Sequence, residues 1–361
     1  MSHASRFVRT FVAVALMLAS CGSALTVAVD PSGLLHMQFP GLPRLCAPGI
    51  AIPDRDSKAL LPRFTAPREI LLGTSRVAVG FADWDADRLL RPPVLNLGVR
   101  AATLADVRHL LNEAIAAGAL ERAWLGLDFG MFQSELQPPA LTSAASEPRT
   151  LTALRHGLAD PRVVRRALAQ LVDRRDCRLP PHSVRGFRNL PKSVGREAVT
   201  PPSDRLVAEA ADREWRLTQI AAADPVARGR VYRTRLRMLE EMIAYARRHR
   251  VELVLFLNPS DRGFHRLVDR AGLRASHERW RTDTAALARR HGLILVDLAE
   301  MPNLPRTPAC GGASCDFFDL THYRPHVGRY ILHRGVAALA ARDGRGRYIL
   351  HGGPRGIEPR P

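Results

Sequence analysis

The chain has 361 residues, 46% of them apolar, which is enough for one large core with an insertion. Its formal net charge is +18 at pH 7, yet lysine occurs only at Lys58 and Lys192, and the arginines are scattered rather than interleaved with aromatic residues. That pattern argues against a nucleic-acid partner and leaves loose attraction to acidic lipid or envelope polymer.

In chain order the first feature is "RFVRTFVAVALMLASCGSALTVAVDPSG", where Arg6 and Arg9 precede an uncharged stretch from Phe11 to Val29. About twenty such residues are enough to cross a bilayer as a helix, with the basic flank kept inside. An uncleaved anchor over residues 1–30, in the bacterial inner membrane, is the reading taken here. Two alternatives stay open. "LASC", Leu18 to Cys21, fits a lipoprotein cleavage site that would put a lipid on Cys21, and a cleaved signal peptide fits the same stretch. In each case the bulk of the protein is extracytoplasmic, on the periplasmic side. Cys310 and Cys315, in "CGGASC", are spaced for a local disulfide in such a compartment, whereas Cys46 and Cys177 are open as paired or free.

Residues 31–67 are proline-rich and lack periodicity, so they read as an extended lead-in. From Arg68 the pattern alternates. "EILLG" is a first strand, "PVLNLGV" (Pro93 to Val99) a second, and "TLADVRHLLNEAIAAG" (Thr103 to Gly118) a helix that ends at a glycine. "RAWLGLDFGMF" (Arg122 to Phe132) is apolar nearly throughout, as strands buried on both faces are. Residues 133–228, with the proline clusters "QPPA", "LPPH" and "TPPS", read as a partly helical insertion that overhangs the site. A helix over about 230–250, a strand at "VELVLFLNPSD" (Val251 to Asp261), a helix over about 272–291 and a strand at "GLILVDLAEM" (Gly292 to Met301) follow. The chain then has a loop and a last helix within "CDFFDLTHYRPHVGRYILHRGVAALAA", and residues 346–361 are expected to form a mobile tail. Strands separated by helices imply an α/β fold, a five-stranded parallel sheet sandwiched by helices over residues 68–345.

The chemistry-bearing residues lie at the two ends of that domain. The strand ending at Leu72 runs into Gly-Thr-Ser-Arg, and such turns at the carboxyl ends of parallel strands are where α/β proteins put reactive side chains. A serine nucleophile needs a base, an orienting carboxylate and donors for an oxyanion. "DLTH" supplies the carboxylate Asp319 and the base His322, three residues apart. Serine is also a preferred helix N-cap, so Ser75 has a purely structural alternative. Asn258 and Asp261 end the fourth strand on the same edge and are candidate pocket residues, and Arg76 and Arg324 flank the centre as candidate anion binders.

"GTSR", "NLG", "LGLD" and "DLTHYRPHVG", with the opening "VDPSGLL" (Val29 to Leu35), resemble the SGNH (GDSL-like) hydrolase superfamily. Most similar are membrane-anchored bacterial envelope members related to polysaccharide O-acetylation proteins. The resemblance spans roughly residues 29–341 but not the insertion. It implies a five-stranded parallel sheet and hydrolysis or transfer of acyl groups on an acyl-ester or carbohydrate substrate, with no metal or organic cofactor. It makes Ser75 the nucleophile and an oxyanion donor through its own N–H, Gly98 a second donor, and His322 with Asp319 the base and its orienter. The third block of the family reads Gly-x-Asn-Asp, with the asparagine amide in the oxyanion hole. Here Asp128 stands in that place, and an ionised carboxylate repels a developing oxyanion. The alternative reading is therefore an inactive envelope protein that keeps the fold to bind polysaccharide or an assembly partner.

Overall fold

The computed structural model describes residues 3–29, 54–133, 225–300, 316–342 and 349–351, together with 164, 165, 168, 185–187, 212 and 215. The expected Cys310–Cys315 pair, Cys46, Cys177 and nearly all of the 133–228 insertion lie outside them. Helix α1 (His3–Val29) contains a 24-residue span, Ser5–Ala28, long and apolar enough to cross a membrane. Cys21 lies on α1 and is exposed.

The domain is built from β1 (Glu69–Leu72), β2 (Val94–Asn96), β3 (Arg122–Leu127), β4 (Glu252–Leu257) and β5 (Ile294–Asp297), which form a parallel sheet in the order β2-β1-β3-β4-β5. Alternation along each strand divides the core in two. Ile70 and Leu72, Leu125 and Leu127, and Leu255 and Leu257 face one side, where α5 (Leu104–Ala116), α6 (Pro225–Arg248) and α8 (Arg274–Arg290) cover them. Leu71, Trp124, Phe256 and Val296 face the other, under α3 (Ser75–Gly80), α4 (Asp83–Leu89) and α9 (Pro325–Ala341). Both faces are dry, which is why these strands read as continuous apolar runs. On α5 the face carrying Leu104, Val107, Leu110, Leu111, Ala114 and Ile115 is core.

Several expectations need correction. The lead-in of residues 31–67 is not extended throughout: α2 (Asp54–Thr65) occupies its last part, with Leu60 and Leu61 buried. Pro62 inside that helix interrupts the periodic signal. Lys58 on α2 is buried and donates to the Gly98 carbonyl at 2.6 Å, so the helix is docked on the turn after β2. Strand β3 ends at Leu127, and a short 3-10 turn covers Phe129–Phe132. A further helix, α7 (Arg262–Arg270), precedes α8. The sheet has a sixth strand, β6 (Ile349–His351), parallel to β5 and lying in the tail that was expected to be mobile. Its "YIL" is an apolar run of only three residues, between Arg347 and His351, and the strand covers the edge of β5.

Chain direction in the sheet sets the position of the site. After β1 the chain moves outward to β2 and then returns past β1 to β3 on its other side. In open parallel sheets that reversal leaves a crevice beyond the carboxyl ends of the two strands. Ser75 follows β1, and Asp128 follows β3.

Candidate active site

Gly73 makes the turn at the end of β1. Its φ of +153° and the 2.5 Å that would separate a Cβ from Val77 Cγ2 both exclude a side chain there. Thr74, not Ser75, is the N-cap of α3, and its Oγ1 accepts from the Arg76 N–H at 3.3 Å. Ser75 is therefore free of the capping role. It occupies the first position of the helix, and its own N–H has no acceptor among the described residues.

The two ends of the domain meet at this serine. Ser75 Oγ lies 2.8 Å from His322 Nε2, across 247 positions of sequence. His322 Nδ1 lies 2.7 Å from Asp319 Oδ2. Asp319 Oδ1 accepts the N–H groups of Thr321 and His322, each at 2.8 Å, which closes the loop into a tight turn and fixes the carboxylate under the ring. Burial alone would raise the Asp319 carboxyl, but the hydrogen bonds and charge of His322 and the two backbone donors overcome it and hold the group well below the ordinary carboxylate range. The carboxylate thus stays ionised and acceptor-only, which calls for a proton on Nδ1; in the neutral imidazole, Nε2 is then the nitrogen that faces the serine with a lone pair.

Behind the serine lies a second layer of polar contacts. Asp128, 6% exposed, does not point a donor at the crevice. It accepts hydrogen bonds from Thr74 Oγ1 and from Asn258 Nδ2 (2.9 Å), and it pairs with Arg76 Nη1 at 3.2 Å. The buried Tyr323 hydroxyl donates to Asn258 Oδ1 at 2.9 Å, which settles the orientation of that amide. Burial pushes the Tyr323 phenol well above its usual value, with the Asp128 charge acting in the same direction, so it remains a donor. Arg76 Nη1 also donates to Ser260 Oγ at 2.9 Å, and its guanidinium lies 5.5 Å from the Phe264 ring centre.

The structure brings Ser75, His322, Asp319, Asp128, Arg76 and Asn258 to one place, but it changes the part played by Gly98. The Gly98 N–H donates to Asn96 Oδ1 at 2.9 Å, and Asn96 in turn donates to the Val77 carbonyl at 3.0 Å. A Cβ on Gly98 would lie 2.5 Å from Ala78 N, so this glycine allows the β2 turn to touch α3. The second oxyanion donor that the resemblance implied is thus already engaged. Asp261 is the N-cap of α7, Arg324 is buried with its guanidinium over Phe318, and His326 pairs with Asp316 at 2.8 Å.

Sequence reasoning assigned no site role to Thr74, Asn96, Ser260 or Tyr323. Thr74 and Tyr323 stand directly beside residues it did choose, which was the available signal. Among the described residues, His277, Glu278 and Glu300 also bring metal-ligand types within reach of one another, but Arg281 Nη1 lies 3.4 Å from Glu278 and 3.1 Å from Glu300 and compensates their charge. No family model matches the chain, and a search of curated proteins finds no match either.

Proposed function

We propose that this protein is a membrane-anchored, extracytoplasmic serine esterase or O-acyltransferase of the SGNH type, acting on an acyl ester of the cell envelope. The observation that carries this reading is the unbroken chain Ser75 Oγ, His322 Nε2, His322 Nδ1, Asp319 Oδ2, with links of 2.8 and 2.7 Å. A serine, an imidazole and a carboxylate in that order can abstract, hold and return one proton.

In the reaction so proposed, Ser75 Oγ attacks the ester carbonyl while His322 Nε2 takes its proton. The tetrahedral oxyanion is met by the Ser75 N–H, which is uncommitted among the described residues. Collapse expels the alcohol, which takes the proton from His322 and leaves an acyl group on Ser75. Water or a sugar hydroxyl, deprotonated by the same imidazole, then takes the acyl group and restores the serine.

The test is covalent. The full chain in detergent is exposed to a fluorophosphonate probe and, separately, to 4-nitrophenyl acetate, beside Ser75→Ala. Labelling of Ser75 and hydrolysis that the variant loses by at least a thousandfold are the expected results. Absence of label together with equal rates in the two proteins would end the enzyme reading. A second reading, an inactive envelope protein that binds polysaccharide or an assembly partner, is favoured by the engaged Gly98 N–H and by Asp128 at the third-block position. Loss of one oxyanion donor costs about 3–4 kcal/mol in the barrier.

A further inference from the structure

We infer that Arg76 selects the substrate, by binding a carboxylate that the substrate carries close to its ester. This inference rests on the proposed Ser75 chemistry for the word substrate. Arg76 follows the nucleophile directly, and its guanidinium reaches across the carboxyl ends of β1, β3 and β4 to Asp128 and Ser260. Both of those contacts use Nη1. Nε and Nη2 have no partner among the described residues, and neither is sealed from solvent. These two nitrogens form the side-on edge of the guanidinium, the geometry that receives both oxygens of a carboxylate.

The side chain is 12% exposed and rests on Phe264, so the edge is held in place and partly desolvated before any ligand arrives. Preorganisation of that kind lowers the cost of binding. Asp128 offsets part of the guanidinium charge, but its oxygens already accept from Thr74, Asn258 and Nη1 and do not compete for Nε and Nη2, so those two N–H groups are what a ligand carboxylate would meet. An arginine needed only to neutralise Asp128 would be satisfied at Nη1 alone, and its Nε and Nη2 would have no task.

The carboxylate can belong to the acyl half of the ester or to the sugar half, and the experiment separates them. In the full chain carrying Ser75→Ala, equilibrium binding is measured for D-glucuronate against D-glucose and for monomethyl succinate against dimethyl succinate. The charged member of at least one pair should bind tenfold or more tightly, and adding Arg76→Gln should remove the difference. Arg76→Lys, which keeps the charge without the fork, should keep part of it. Equal binding within both pairs overturns the inference, as does a preference that Arg76→Gln leaves intact. In the active protein, 4-nitrophenyl hemisuccinate should lose more kcat/KM than 4-nitrophenyl acetate on Arg76→Gln. An equal fall for the two esters would make Arg76 an oxyanion or structural residue and also overturn it. Because the binding arm needs no turnover, charge selection with no Ser75-dependent hydrolysis would refute the enzyme reading and leave the carboxylate site standing.

Discussion

Replacing Asp319 by asparagine keeps the size of the side chain and reverses what it offers to His322 Nδ1. The oxygen that accepts the Thr321 and His322 N–H groups can be kept, so the turn survives, but an NH2 then faces the ring. The ring answers by moving its proton to Nε2, where it points at Ser75 and disables the base. Turnover of an aryl ester should fall on the order of 10³- to 10⁴-fold with the fold retained, as measured by kcat beside thermal unfolding. The same change removes a pH dependence. Because the folded-state pKa of Asp319 is depressed, the wild type gains stability from it above the unfolded value of about 3.9 and loses that stability as pH falls below it. Asp319→Asn should lack this component of acid sensitivity. Tyr323→Phe tests the layer beneath. Without the hydroxyl, Asn258 Oδ1 is a buried acceptor with no donor, and a flip of the amide to repair this would withdraw Nδ2 from Asp128. A loss of about 1–3 kcal/mol in unfolding free energy is expected.

At the scale of elements, the end of β5 and the helices beside it carry a different pH response. His277 on α8 is buried against Phe129, with ring centres 5.0 Å apart, and against Trp280. Burial, reinforced by the neighbouring His265, lowers its pKa to about 4 against the opposing pull of Glu300. The unfolded chain takes up this proton first, near pH 6.5, so the folded state loses stability as pH falls from 7 towards 4. Between pH 7 and pH 5 this one group accounts for about 2 kcal/mol, and His277→Phe should remove that slope in denaturant titrations at the two pH values. How well the elements could be read in advance follows from their physics. Strands β3 and β4, buried on both faces, and α5, with a capping box from Thr103 and Asp106, announce themselves. Helix α2 is broken in pattern by Pro62, while α4 and β6 are too short for a period to accumulate. The same division holds at the site. Ser75, His322 and Asp319 are legible because few residue types do their chemistry. Thr74, Asn96, Ser260 and Tyr323 are common residues whose roles exist only once β1, β2, β3 and β4 lie side by side.

Taken whole, the molecule joins a strongly basic body to an apolar helix, and each offers a different means of staying at a membrane. Charge attraction to acidic lipid is screened within about 3 Å at 1 M salt and should vanish there. A spanning helix ignores salt. The 24 residues of Ser5–Ala28 extend about 36 Å at 1.5 Å per residue, which exceeds a hydrocarbon core of about 30 Å, and Phe7, Phe11, Leu16 and Leu18 all point outward with no protein over them. The aliphatic surface of α1 has no use in water, whereas the arginines of the body are scattered and many are paired with Asp or Glu. Anchoring should therefore dominate. In membranes from an expressing bacterium, a 1 M salt wash should leave the protein in the pellet and detergent should release it; release by salt alone would mean that charge holds it. The intact mass of the detergent extract then decides between the forms of attachment. A chain that still begins upstream of Cys21 is an uncleaved anchor, one that begins at a lipid-bearing Cys21 is a lipoprotein, and an unlipidated chain lacking α1 was secreted by a cleaved signal.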